Sequence, residues 1–190
     1  REIFQSPPET ITSVQIDDRA NGFITALSRS EGAWISTDSE GNTLELDAEK
    51  VDNLLQQLGT LNAMSYVDRS EPPRPRPEDE TFDENDPYGL MEPLAVIQFT
   101  TTDNVTHTLH VGRLESSAYY CAADGNLGDV FKVSNTTINA IRAEPESLVF
   151  VEGEQEPPEG VAALPSDIVE TAEIDTIEAE VGHVPAEGTE

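Results

Sequence analysis

Asp86-Pro87-Tyr88-Gly89-Leu90 and the strand-like stretches 95–100, 105–111, 118–122 and 130–133 after it decide the fold of this chain. Val105, His107, Leu109 and Val111 share one face of the second of these, with Thr106, Thr108 and His110 on the other, the period of a strand. Asp124-Gly125-Asn126 predicts the turn of a hairpin joining the Tyr119-Tyr120 strand to Val130-Phe131, because Asp and Gly tolerate the left-handed backbone that tight turns need. A polar cap at Ser134 and a helical stripe through Ile138 and Ile141 close this half.

The first half has the same plan. Val14 and Ile16 share a face within 12–16, Asn21-Gly22 turns the chain into Phe23, Thr25 and Leu27, and 33–36 is a short strand carrying Trp34, the single tryptophan. Glu40-Gly41-Asn42 leads into 43–46. Asp47 stands where an N-cap carboxylate accepts from free amides of a first helical turn, and Val51, Leu54, Leu55, Leu58 and Leu61 then recur at helical spacing, with Gly59 near the end. Sliding the sequence by about 87 positions lays Gly41 on Gly128, Asp47 on Ser134, Val51 on Ile138 and Leu54 on Ile141. The expected architecture is therefore α+β, with two similar antiparallel-sheet-plus-helix units and an internal duplication.

Between these halves the composition changes. Pro72-Pro73-Arg74-Pro75-Arg76-Pro77 favours extended backbone, and the acidic run Glu78-Asp79-Glu80 has nothing apolar to pack with, which predicts a solvent-exposed connection. After Phe150 the chain has no Lys or Arg. It is expected to be an irregular acidic tail, in which Ser166 could cap a helix with a weak stripe of Ile168, Ala172, Ile174, Ile177 and Val181. The predicted organisation is a linker over 1–9, units over 10–68 and 87–151 joined by 69–86, and a tail over 152–190.

Acidic residues number 38 against 10 basic ones, a formal net charge of −28. Nucleic-acid phosphates and anionic lipid would repel such a chain, whereas a basic partner would not; a high-salt habitat is an equally physical reading of the acidity. No apolar run approaches the roughly 20 residues of a membrane span. Cys121 stands alone, so neither an internal disulfide nor a thiolate cage can form from this sequence.

Candidate chemistry is sparse. His107 and His110 fall on opposite faces of one strand and cannot share a metal; His107 is expected to be partly buried with a local hydrogen bond and His110 to be a surface residue. Asp83-Glu84-Asn85-Asp86 departs from a calcium loop because Pro87 and Tyr88 occupy positions that need a ligand and a turn glycine. Cys121, mid-strand with no cation beside it in sequence, is expected to be an inert buried thiol. Neither a phosphate loop, a dinucleotide fingerprint nor a nucleophile elbow is present, and no catalytic, metal or cofactor site is assigned.

Trp34-Ile35, Asp86-Pro87-Tyr88-Gly89-Leu90, Leu109-His110-Val111-Gly112, Tyr119-Tyr120 with Asp124-Gly125, and Val130-Phe131-Lys132-Val133 occur in an order and spacing that resemble the bacterial domain-of-unknown-function family 4340 over about residues 34–150. The resemblance implies an extracytoplasmic domain, often anchored by a helix ahead of it and commonly encoded beside gliding-motility-type ABC transporters. It implies no catalytic residues. An upstream signal peptide or anchor is expected on that ground, the chain starting at Arg1. The expected function is a non-catalytic accessory subunit of a larger membrane assembly, held there by an anchor or by its partners. Pro72, Pro73, Pro75 and Pro77 in the connection and Ile168, Ile174, Ile177 and Val181 in the tail are the candidate contact residues. Two alternatives arise from other features: a subunit of a membrane electron-transfer complex could offer this acidic surface to a basic carrier, and Trp34, Tyr119 and Tyr120 could form a stacking surface for a small molecule or envelope polymer.

Overall fold

The computed structural model describes residues 1–38, 40–70, 72–73 and 82–150. The strands are β1 (Ile11–Asp18), β2 (Phe23–Ser30), β3 (Ala33–Thr37), β4 (Thr43–Glu45), β5 (Ser65–Tyr66), β6 (Ala95–Thr101), β7 (Thr106–Glu115), β8 (Ala118–Ala123) and β9 (Phe131–Ser134). Helix α1 (Ala48–Gly59) comes after β4, and α2 (Asn135–Ile141) after β9. All nine strands lie in one antiparallel sheet, in the order β4-β3-β2-β1-β6-β7-β8-β9-β5, so the class is α+β. No helix among the described residues is long and apolar enough to cross a membrane.

Local chemistry explains each helix start. The Asp47 side chain accepts from the amides of Glu49 and Lys50, and the Ser134 hydroxyl accepts from the amide of Thr137. A cap is worth about 1 kcal/mol, whereas burying one Leu or Ile side chain is worth about 1.5–3 kcal/mol. Caps therefore set where the helices begin, and packing decides where they sit. Val51, Leu54, Leu55 and Leu58 of α1 and Ile138 and Ile141 of α2 join Val14, Ile16, Leu27, Ile97, Phe99, Leu109, Val111 and Val133 in one core on one face of the sheet. The two stretches expected to form units thus share a single sheet and a single core.

The strand order is symmetric about the β1–β6 ladder, at whose middle Gln15 lies opposite Gln98. On either side a four-stranded meander ends in a helix. Beyond each helix the chain crosses to the other side. After α1, Met64 donates to Lys132 O (2.8 Å), Ser65 and Tyr66 pair with Lys132 and Phe131, and Val67 donates to Val130 O (2.9 Å). After α2, Asp47 donates to Leu148 O (2.8 Å), Val149 bridges Leu46, and Phe150 donates to Glu45 O (3.1 Å). Each half thus adds a short segment to the outer edge of the other, and short edge strands are one way in which sheets limit edge-to-edge association.

Three sequence expectations change. Val105 is not part of β7 and is 44 % exposed, because Asn104 (φ +60°) ends the β6–β7 turn only there. His110 is half-buried rather than a surface residue, and burial, with Arg19 nearby, lowers its pKa from the ordinary histidine value. Tyr119 and Tyr120 are buried and Trp34 is packed against the core, so these rings do not make a stacking surface.

Candidate functional site

The Asp-Pro-Tyr-Gly-Leu loop is built by one carboxylate. Asp86 Oδ1 accepts from the Leu90 amide (2.9 Å), and Oδ2 accepts from those of Met91 (2.7 Å) and Glu92 (3.3 Å). Gly89 adopts φ +68°, where a side chain would be strained, and its amide donates to Asp86 O. Arg113 of β7 donates its amide to Tyr88 O (2.8 Å), and a Cβ on Gly112 would lie 2.2 Å from that same oxygen. Glycine at 112 is what lets the loop close on the strand.

Closed there, the loop lays Tyr88 and Leu90 on Tyr120, Ala122 and Val130, with Val67 alongside. These form a second, smaller apolar cluster, on the face of the sheet away from the helices. The Tyr88 and Tyr120 rings meet edge-on at 5.2 Å. Beside them Lys132 binds Glu115 (2.5 Å) and sits over the Tyr120 ring at 4.8 Å. That hydrogen bond from Lys132, opposed by burial and helped by Tyr120, holds the Glu115 carboxyl below its ordinary value, and burial with Glu115 pushes the Tyr120 hydroxyl up.

Between the loop and the end of β7 lies a groove of about 680 Å³ lined by Asp83, Asn85, Asp86, Gly89, Met91, Glu92, Leu94, Arg113 and Leu114. Met91 is 71 % exposed and Leu114 44 % exposed, large apolar side chains on a rim that also carries the carboxylates of Asp83, Asp86 and Glu92 and the Arg113 guanidinium. The Arg113 guanidinium stacks over the Phe82 ring at 4.7 Å. The β7–β8 register shifts between Val111 and Leu114, which places Leu114 opposite Tyr119 rather than on the face that strict alternation from Val111 would give it. A glycine inside the strand pattern, Gly112, is the signal that could have found this bulge from sequence.

Other groups with chemical potential are engaged in structure. Asp18 is fully buried and takes a two-point grip from Arg142, Nε to Oδ2 at 2.7 Å and Nη2 to Oδ1 at 2.8 Å, with Asn21 as a further donor. Burial alone would raise the Asp18 carboxyl, but those hydrogen bonds and the Arg142 charge outweigh it and hold the pKa below its ordinary value. His107 Nδ1 lies 3.2 Å from Asp124 Oδ2, with its ring against Phe4 and Phe99, which is the local bond its position predicts. Cys121 is fully buried, and burial drives its thiol far above the ordinary value. No group of three or more His, Cys, Asp or Glu side chains placed to hold a metal ion occurs among the described residues.

Of the contact residues expected from sequence, Pro72 is exposed and Pro73 half-buried, both in irregular backbone. Pro75, Pro77, Ile168, Ile174, Ile177 and Val181 lie outside the described residues. Met91, Glu92, Arg113 and Leu114 are the side chains that sequence reasoning passed over. A scan against protein-family models, a search of curated proteins and a search of solved structures each found no match.

Proposed function

We propose that this chain is a non-catalytic accessory subunit of a larger membrane assembly, extracytoplasmic in location, that works by protein–protein contact through the groove beside the Asp-Pro-Tyr-Gly-Leu loop. The observation that carries this reading is the pair of exposed apolar side chains, Met91 and Leu114, on a rim whose backbone is pinned by Asp86 and Gly112. A rigid frame presenting apolar anchors with charges around them has the make-up of a contact surface, in which a few buried anchors supply most of the binding energy. Membership of the 4340 family belongs to the same proposal, resting on the quoted motifs. So does duplication of one unit, supported by the mirrored strand order and by helix caps at the two positions that the 87-residue slide pairs.

The test is purification of the full chain from its native membranes in mild detergent, beside Met91→Asp/Leu114→Asp. The wild type is expected to migrate in a large complex, and the double variant to leave it while keeping its circular dichroism and Tm. A wild-type chain that migrates as a lone monomer overturns the reading. A second version, an acidic docking surface for a basic electron carrier, is favoured by the net charge of −28 alone. It requires an association that weakens steeply with salt, and a salt-insensitive one rejects it.

A further inference from the structure

Asn21-Gly22, which turns β1 into β2, is the single Asn-Gly pair in the chain. Such a pair is chemically labile, because glycine leaves the following backbone nitrogen unshielded and lets the chain fold back on the asparagine side chain. Both residues are exposed, and a Cβ built on Gly22 would meet nothing within 4 Å, so the approach to that nitrogen is open. What holds the pair is Asp18. Its main-chain carbonyl accepts from the Gly22 amide (2.8 Å), and its carboxylate accepts from the Asn21 backbone amide (3.0 Å) and from Asn21 Nδ2 (3.1 Å).

The same carboxylate is the one that Arg142 grips. Oδ1 takes Arg142 Nη2 and the Asn21 backbone amide, and Oδ2 takes Arg142 Nε and Asn21 Nδ2, so a fully buried anion is satisfied by four donors. Two of the four come from Asn21. An amide side chain has a donor to offer, whereas a carboxylate at position 21 has only acceptors and sets an oxygen against Asp18 Oδ2 where a donor stood. Asn21 is thus a surface residue at which the exchange of one atom reaches a buried ion pair.

We propose that Asn21 is a deamidation site, guarded by Asp18 in the folded chain, and that its product unsettles the Asp18–Arg142 clamp. In the reaction the Gly22 nitrogen gives up its proton and bonds to Asn21 Cγ, the Cγ–Nδ2 bond breaks, and Nδ2 takes up the proton and departs as ammonia, leaving a cyclic succinimide. Water then opens the ring at either carbonyl, giving aspartate or, with the main chain routed through Cγ, isoaspartate. Water is consumed and ammonia released, with no oxidant or reductant. In the folded turn the Gly22 N–H is bonded to Asp18 O and Nδ2 to Asp18 Oδ2, so the step waits on local opening of the turn. Either product removes the Nδ2 donor, and isoaspartate also lengthens the turn's backbone by a methylene. Modification and loss of the clamp therefore promote each other.

The test is to hold the full chain in mildly alkaline buffer at body temperature and to follow aspartate and isoaspartate at each asparagine by peptide mass mapping. Folded wild type is expected to react at Asn21 about tenfold more slowly than the same chain in unfolding urea, with Asp18→Leu/Arg142→Met, which keeps the carbonyl but not the carboxylate, between the two. The aged product, separated from unmodified chain by ion exchange, is expected to unfold at lower urea. Asn21→Asp, a fixed mimic of one product, is expected to lower the Tm of the wild type and to leave that of Asp18→Leu/Arg142→Met unchanged. The wild-type rates and the aged product decide the matter even if that double variant does not fold. The proposal is overturned by equal rates in the folded and unfolded chain, by another asparagine reacting ahead of Asn21 in the unfolded chain, by an aged product of unaltered stability, or by Asn21→Asp acting equally in both backgrounds, which would make its effect one of net charge alone.

Discussion

The two halves share a ground plan and differ in what covers them. Behind β8 the Asp-Pro-Tyr-Gly-Leu loop buries Tyr120; behind β3 the matching position holds Ile35, open to solvent. Their inner ends differ too. At the end of β1 a fully buried Asp18 is clamped by Arg142, whereas at the end of β6 the Thr101 hydroxyl is bonded to Val105 O and to the Asp103 carboxylate. Shared features (caps, meander, crossing segments) are those that the core and the sheet edges require. The unshared ones are where surface chemistry is left over for contact.

The largest effect is expected from cutting the comparison in two. Residues 1–70 alone, or 82–150 alone, lack the segment that completes the outer edge and about half of the common core, and a piece of this size is marginal even with a full core. Each is expected to show no cooperative thermal transition by circular dichroism, and mixing the two to restore one. A half that folds on its own would mean that the crossing segments are decoration.

Next in size is the clamp between β1 and the end of α2. Asp18→Ala strands the Arg142 guanidinium, 7 % exposed, without its carboxylate, and is expected to lower stability by about 3–5 kcal/mol in urea unfolding. Asp18→Leu with Arg142→Met removes both charges and should recover much of that loss. Gly112→Ala drives a Cβ against Tyr88 O and is expected to lower stability by about 1–3 kcal/mol, with amide shifts concentrated at residues 86–92. If those shifts spread evenly through the sheet, the loop and strand are not joined as described.

Acid gives a smaller and graded effect. Asp18 has a folded pKa held below its ordinary value of 3.8, so the clamp's contribution is complete above that value and is lost as pH falls through the lower folded one. Wild-type stability is therefore expected to fall more steeply below about pH 4 than that of the Asp18→Leu/Arg142→Met chain. Parallel curves would place the acid sensitivity elsewhere. The smallest effect is expected at the rim: Met91→Asp/Leu114→Asp replaces two exposed side chains and should change stability by less than about 0.5 kcal/mol.

Much of the fold was legible because short-range rules governed it. Asn21-Gly22 and Asp124-Gly125 turn where glycine at φ +77° and +72° is needed, and Asp47 and Ser134 cap as their side chains allow. The illegible part depends on long-range pairing. Joining β1 to β6 makes one sheet of two meanders, and nothing local in Gln15 or Gln98 announces it. Crossing of the two trailing segments is likewise a property of the closed sheet. The candidate groove was hidden for a related reason: strict alternation along β7 points Leu114 away from its real direction, and only the bulge at Gly112 corrects it.

One measurement bears on the central claim, that the halves are interlocked into a single folding unit whose differences lie on its surface. Trp34, the single tryptophan, reports on the first half by fluorescence, and the amide signals of Val133 and Ile138 report on the second during the same urea titration. Interlocked halves predict one midpoint and one slope for all three, shifted together by Asp18→Ala. Two separate midpoints, or a shift confined to one half, would contradict the claim.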